Sequence, residues 1–320
     1  VAGAVLGVCA LLLTGGASCT KESKESSSDP AGVVKAADAA KGGAGGATGT
    51  GGATGGTAEP TEIDRTPLPG VDVSKLEGKR ADLFYKLVGS YSSPCGKAHS
   101  LRTSVTTDQA CKKAPFAARY LAAMIEDEIP EEDIRTLYEA KYKKEPKQVT
   151  LALGEGVPHE GPIDAPIQIV EFFDYGCPAC QDFKPVMDEV IAQNGSTVVV
   201  YYKQFPLTDK HPDSMSAAQA AVAAAAQGRY KEMHDLLFAN APRHRRADVL
   251  KYAKELGLDI MKFEADYADA EKKVRADIKE GDAAGVRGTP SIFFNGRQYE
   301  GPAHPRYFAF WIQEELAVNR

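Results

Sequence analysis

This 320-residue sequence predicts an α/β fold with a helical insertion, preceded by a small all-α unit and a disordered tether. Three observations carry that expectation. Beyond residue 149, short β-branched and aromatic runs alternate with helical periodicity, the pattern of strands joined by crossover helices. Between residues 71 and 146 the apolar positions recur only at helical spacing. From Thr20 to about Thr66 there is no apolar periodicity, and residues 42–56 are almost wholly Gly, Ala and Thr.

Residues 1–19 begin with a small apolar run, Val1 to Leu13, of signal-peptide length and too short to span a bilayer. Gly16-Ala17-Ser18-Cys19 then sets small residues before a Cys, which resembles a bacterial lipoprotein signal in which Cys19 is lipidated. Ordinary secretory cleavage nearby and an uncleaved anchor are the alternatives. All three put the remainder outside the cytoplasm, in the cell envelope. Residues 20–66 cannot bury enough apolar surface to offset their ordering entropy. A flexible tether of about 45 residues has a root-mean-square span of roughly 35–40 Å.

Residues 71–146 read as a small helical domain. Leu76, Leu83 and Leu87 mark its first helix, and Phe116, Tyr120, Leu121, Met124 and Ile125 a second. Pro130 followed by Glu131-Glu132-Asp133 opens a third, with Ile134, Leu137 and Tyr138 on its apolar face. Cys95 and Cys111 fall between the first two. In an exported protein they are expected to form a structural disulfide, with a second redox pair as the sharper alternative.

The α/β domain spans 149–320. Val149–Leu153 and Ile167–Phe173 read as strands, Cys177 to about Gln193 as a helix, and Val198–Tyr202 as a strand. An Ala-rich helix over Ser214–Arg229 and further helical runs to about Glu280 form the insertion. Ser291–Phe294, Asn295-Gly296 and Arg297–Glu300 give a hairpin with a two-residue turn, and Tyr307–Leu316 a closing helix.

Charge narrows the partners. Lys and Arg number 38 against 44 Asp and Glu, a net −6 without an extended basic stripe, so nucleic acid is not an expected partner. The run Arg243-His244-Arg245-Arg246 after Pro242 reads as a solvated loop or helix start.

The chemistry concentrates at Cys177-Pro178-Ala179-Cys180. Two thiols three positions apart on a helical turn are close enough to bond. The first meets the unpaired N–H groups and positive dipole end of the helix, which favour a thiolate. A thiolate attacks disulfides, so the site suits electron exchange. Zinc takes four ligands, and no second Cys or His pair stands at ligand spacing; His211, His234, His244 and His304 are scattered singly and read as surface or packing residues. A metal is therefore not expected. Nor is a purely structural staple, since so short a loop removes little unfolded-state entropy.

The stretch Glu171-Phe172-Phe173-Asp174-Tyr175-Gly176, running into the Cys pair, resembles the active-site strand and helix start of DsbA-like thiol:disulfide oxidoreductases of the thioredoxin superfamily. Lys203-Gln204-Phe205-Pro206-Leu207, His211-Pro212, the run Tyr230 to Asn240, and Gly285-Val286-Arg287-Gly288-Thr289-Pro290 before the hairpin extend the resemblance over about 149–317. It implies a thioredoxin-like fold and a cis Pro290 facing the disulfide. It also implies roles. Cys177, exposed, forms the mixed disulfide with the client, and the more buried Cys180 resolves it. Pro178 stiffens the loop and Ala179 adds neither charge nor hydrogen bond. Glu171 is the buried acid that handles the Cys180 proton, and Lys203 the strand lysine that can pair with it, a solvated strand end being the alternative. Thr289 offers backbone hydrogen bonds to an extended client segment, beside Pro290.

DsbA itself has His where this chain has Ala179, so an intermediate potential is expected, between roughly −120 and −270 mV. Three functions follow from the resemblance. The first is an envelope oxidase acting on exported proteins with free thiols and recycled by a membrane redox partner. The second is an isomerase or reductase using residues 71–146 for dimerisation or substrate capture. The third is a non-enzymatic peptide-binding module.

Overall fold

A computed structural model of the protein describes residues 62–143, 147–154 and 156–318. The signal with Cys19, and residues 20–61 of the tether, lie outside the described residues.

Two seven-residue strands form the centre. β2 (Ile167–Phe173) runs parallel to β3 (Val198–Gln204), and α5 (Pro178–Asn194) makes the crossover between them. The sheet has the order β1-β3-β2-β4-β5, with β1 (His159–Glu160), β4 (Ser291–Phe294) and β5 (Arg297–Gln298) all pairing antiparallel. Asn295 and Gly296 both take positive φ, 45° and 80°, as the tight turn between β4 and β5 requires. Both central strands are buried along nearly their whole length, because helices cover both faces.

On one face Ile167, Ile169, Phe173, Val198, Val200, Tyr202, Ile292 and Phe294 join the main core under α5 and α10 (Pro305–Val318). On the other, Val170, Phe172, Val199, Tyr201 and Phe293 form a second cluster with Phe205, Ala284 and Val286. The insertion between β3 and β4 is four helices: α6 (Ser214–Ala225), α7 (Tyr230–Ala239), α8 (Arg246–Glu255) and α9 (Ile260–Ala284). α6 and α9 pack along each other, and α9 also reaches β3. α9 stops at Gly285, whose φ of 96° only glycine adopts without strain.

Two expected elements differ. Residues 149–153 are not a strand of the sheet. Val149 donates its N–H to the Gly296 carbonyl beside an isolated Gln148–Arg297 bridge, and there the pairing ends. β5 is only two residues long, so it offers no edge for a longer ladder; Val149, Leu151 and Leu153 bury apolar side chains on the second cluster instead. Leu76 is likewise outside the first helix. α1 is Lys79–Ser90, and the positive φ of Gly78 separates it from the turn that buries Leu76.

The other N-terminal helices are α2 (Leu101–Thr106), α3 (Ala114–Glu126) and α4 (Glu131–Tyr142). Helical periodicity did not reveal α2, a six-residue helix capped by the Ser100 side chain, which accepts from Thr103 N–H. Cys95 and Cys111 are joined by a disulfide with Cα atoms 5.8 Å apart. This unit shares its hydrophobic core with the α/β part. At the seam, Lys141 Nζ pairs with Glu314 at 3.1 Å, Tyr142 donates to Glu314 at 2.7 Å, and Arg306 and Tyr307 both bond Asp127. The Arg297 guanidinium donates to the carbonyls of Ala140 and Lys141.

Candidate active site

Cys177 is the N-cap of α5, with extended backbone (φ −81°, ψ 120°), and Pro178 occupies the first helical position, where no N–H is needed. Ala179 follows. Cys180 donates its N–H to the Cys177 carbonyl at 3.1 Å, which folds the two thiols onto one turn. Neither sulfur is bonded to another cysteine, so the pair is a dithiol.

Cys177 is less open than expected. Only 8% of it is exposed, because the loop entering β4 lies against it, and its Sγ is 3.4 Å from the Thr289 carbonyl. The Thr289–Pro290 peptide is cis and Pro290 is buried. The Thr289 hydroxyl is buried without a hydrogen-bond partner. Cys180 is fully buried.

These settings split the acidities of the two thiols. Cys177 is lowered to about 5, chiefly by the hydrogen bond its sulfur shares with Cys180, against the opposing cost of burial; Thr289 and the N–H groups of Cys180 and Ala179 lower it further. That lies between a free thiol and the most acidic cysteines known. Burial pushes Cys180 well above its ordinary value, and the Cys177 sulfur adds to the shift.

Glu171 sits on the same face of β2 as Ile169 and Phe173, towards α5, and burial raises its carboxyl to about 8. Its charge raises Cys180 in turn, so the two groups share one low-dielectric interior. Lys203 is not its partner. In the β2–β3 register Lys203 stands opposite Phe172, and Glu171 opposite Tyr202. Alternation along a strand therefore sends Lys203 to the other face, where it pairs with Asp277 at 3.3 Å and Glu280 at 2.8 Å of α9. The cation that acts on Glu171 is Lys184, one helical turn past Cys180. It is itself paired with Asp188 at 2.7 Å and Asp235 at 2.9 Å. Its i+4 spacing from Cys180 was the available signal.

Two further residues had no role assigned from sequence. Asp174 is excluded from solvent and accepts four hydrogen bonds: from Gly176 N–H at 2.7 Å, Leu207 N–H at 2.9 Å, His211 Nδ1 at 2.7 Å, and the Ser214 hydroxyl. His211, in the β3–α6 connection, is therefore tied to the loop that leads into Cys177 and is not a residue of the open surface. His234 does pack in the core: Tyr175 Oη is 3.1 Å from its Nδ1, and burial lowers it to about 3, so it is neutral. His244 is also buried, its Nε2 2.9 Å from the Leu237 carbonyl, so the Arg243–Arg246 run is solvated only in part. Among the described residues no group of three or more His, Cys, Asp and Glu side chains is placed to hold a metal ion.

A redox-suited cysteine pair capping the crossover helix, beside a cis-proline loop, places the chain in the thioredoxin-fold class. Residues 155–314, half of the chain, match the thioredoxin family model, and the chain belongs to that family. Similar solved structures include a thioredoxin-like oxidoreductase from Silicibacter pomeroyi, 27% identical, covering 52% of this chain and 94% of that one, with a TM-score of 0.45. BdbD from Bacillus subtilis is 22% identical over 53% of this chain and 97% of that one, TM-score 0.46. The catalytic domain of Proteus mirabilis ScsC is 21% identical over 58% and 98%, TM-score 0.45. Among curated proteins, Na(+)/H(+) antiporter NhaA 3 of Salinispora tropica is 42% identical over 162 residues, 50% of this chain and 25% of that protein. The chain thus spans about a quarter of the length of such relatives. No helix among its described residues is long and apolar enough to cross a membrane.

Proposed function

We propose that the protein is a thiol:disulfide oxidoreductase of the bacterial cell envelope that oxidises thiols of exported proteins through a Cys177–Cys180 disulfide. The split acidity of the two sulfurs carries this reading. A client thiolate attacks Cys177 Sγ of the disulfide; the Cys177–Cys180 bond breaks and Cys180 departs with the electron pair. Cys180 needs a proton on leaving, and Glu171, protonated below about pH 8, is the buried group able to supply it. A second client thiolate then attacks the client sulfur of the mixed disulfide. The client disulfide forms and Cys177 leaves as a thiolate, already its stable form above about pH 5. Two electrons pass from client to protein. Stabilising that thiolate stabilises the reduced protein, which makes its disulfide the oxidant.

A membrane redox partner is assigned the return of those electrons. The Thr289–Pro290 loop, whose carbonyl already meets Cys177, is assigned the extended client backbone, as in strand addition. The test combines a glutathione redox titration with a trapping variant. Oxidised protein should convert a reduced, unfolded client stoichiometrically, and Cys180→Ser should accumulate a mixed disulfide through Cys177. A potential as reducing as that of thioredoxin, roughly −270 mV, would count against the oxidase and for a reductase.

A further inference from the structure

The Asp174 carboxylate and the reactive sulfur are tied to the same short loop. Cys177 donates its N–H to the Asp174 carbonyl at 3.1 Å, and Gly176 donates to the Asp174 carboxylate at 2.7 Å. Both peptide units that enter α5 therefore hang on one residue. The loop is also packed from outside. A Cβ on Gly176 would meet the Ser214 hydroxyl at 2.6 Å and His211 Cβ at 2.8 Å, so His211 is seated directly on it.

Charge makes this arrangement matter. A carboxylate three residues from a sulfur that must become anionic opposes the thiolate by like-charge repulsion. Asp174 has four donors, about as many as a carboxylate can use. Two are backbone N–H groups and one is a hydroxyl; His211 is the only one able to carry a countercharge. Other ionisable groups flank the pair. Lys210, Asp213 and His244 line a small cavity together with Gly176 and His211. Arg245 lies 3.7 Å from Asp213, and His244 is held by the Leu237 carbonyl, so neither bonds Asp174.

We propose that Asp174 and His211 are a positioning pair for the exchanging sulfur: the carboxylate fixes the loop that presents Cys177, and His211 cancels its charge there. The inference rests on Cys177 being the sulfur that exchanges. Nothing in it requires His211 to touch the client.

The test uses the full chain in five forms: wild type, His211→Ala, His211→Gln, Asp174→Asn and the double variant of His211→Ala with Asp174→Asn. Three quantities are read: the pH midpoint of Cys177 alkylation by iodoacetamide, the equilibrium constant with glutathione and the thermal midpoint of unfolding. His211→Ala should raise the midpoint by about 0.5–1 pH unit. The corresponding change in the equilibrium constant is a fall of about three- to tenfold in oxidising strength. In the Asp174→Asn background the same replacement should move neither, since no charge is left to cancel. His211→Gln keeps a donor without the charge; it should restore the thermal midpoint of the wild type yet retain the upward shift in Cys177.

Equal shifts in both Asp174 backgrounds, or an unchanged Cys177 in His211→Ala, overturn the proposal. If Asp174→Asn does not fold, the comparison of His211→Ala with His211→Gln decides: a shift in both sustains the charge role, and a shift in the first alone overturns it. A wild type that fails to exchange with glutathione defeats the functional reading instead.

Discussion

Cys180 and Glu171 are chemically coupled because each is kept neutral by the same burial. Glu171 lies 4% exposed and titrates near 8, against 4.5 when free, so between those values the folded state holds a proton that the unfolded state has released. Its contribution to stability is complete below about pH 4.5 and is lost as pH rises through about 8. In the oxidised protein, where the pair does not titrate, Glu171→Gln should be more stable than wild type by about 2–4 kcal/mol above pH 8. The gap should close towards pH 4.5. Chemical denaturation across that range measures it, and a gap independent of pH would mean that Glu171 does not titrate as assigned. Cys177 has the opposite sign. With its value lowered from 9.0 to about 5, it stabilises the reduced protein fully above pH 9, and the contribution is lost as pH falls towards 5.

Single elements decide which charges these groups feel. Strand alternation puts Glu171 on the α5 face and Lys203 on the α9 face, although their residues pair within one register step. Lys203→Met should then leave exchange kinetics with glutathione unchanged while costing about 3 kcal/mol, because Asp277 and Glu280 lose a buried partner. Lys184→Met should do the reverse. Its pairs are partly solvated, so stability should change by less than about 1 kcal/mol. Because Lys184 holds Glu171 down, its removal should move the Glu171 limb of the pH–rate profile to higher pH. Should Lys203→Met be the one that shifts the profile, the face assignment is wrong.

At the scale of the whole molecule, the N-terminal helices and the α/β part unfold together or not at all if the seam is as tight as its contacts. Lys141 and Glu314 are each 3% exposed at the side chain, with the Lys141 ammonium 4.2 Å above the Trp311 ring. Glu314→Gln strands that ammonium and should cost about 3–5 kcal/mol. Calorimetry should still show one transition, moved to lower temperature; two resolved transitions would show that the seam is weak. The Cys95–Cys111 bridge spans a sequence separation of 16, for which chain entropy predicts about 3 kcal/mol. Cys95→Ser with Cys111→Ser should lose that much while leaving the glutathione equilibrium of Cys177 unaltered, whereas a redox relay between the pairs would change it.

Motif residues that lie close together along the chain were legible from sequence alone. The Cys-Pro-Ala-Cys helix start, the β2–α5–β3 unit and the Asn-Gly hairpin all depend on local spacing and periodicity, which a single chain displays directly, whereas the buried position of Glu171 came from the family resemblance. The partner of each charge was not legible, because a strand lysine reads the same whichever face it takes. Lys203 matched the expected motif and went to α9; Lys184, unremarked, and His211, read as a surface or packing residue, went to the site. The same limit hid the failed strand at 149–153, whose apolar alternation is real but whose neighbouring edge, β5, is two residues long. Sequence by itself determined which residues could do redox chemistry and which turn of helix holds them. Tertiary structure alone decided how acidic they are and what covers them, since burial and charge contacts come from segments up to 112 residues apart, as Cys177 and Thr289 are.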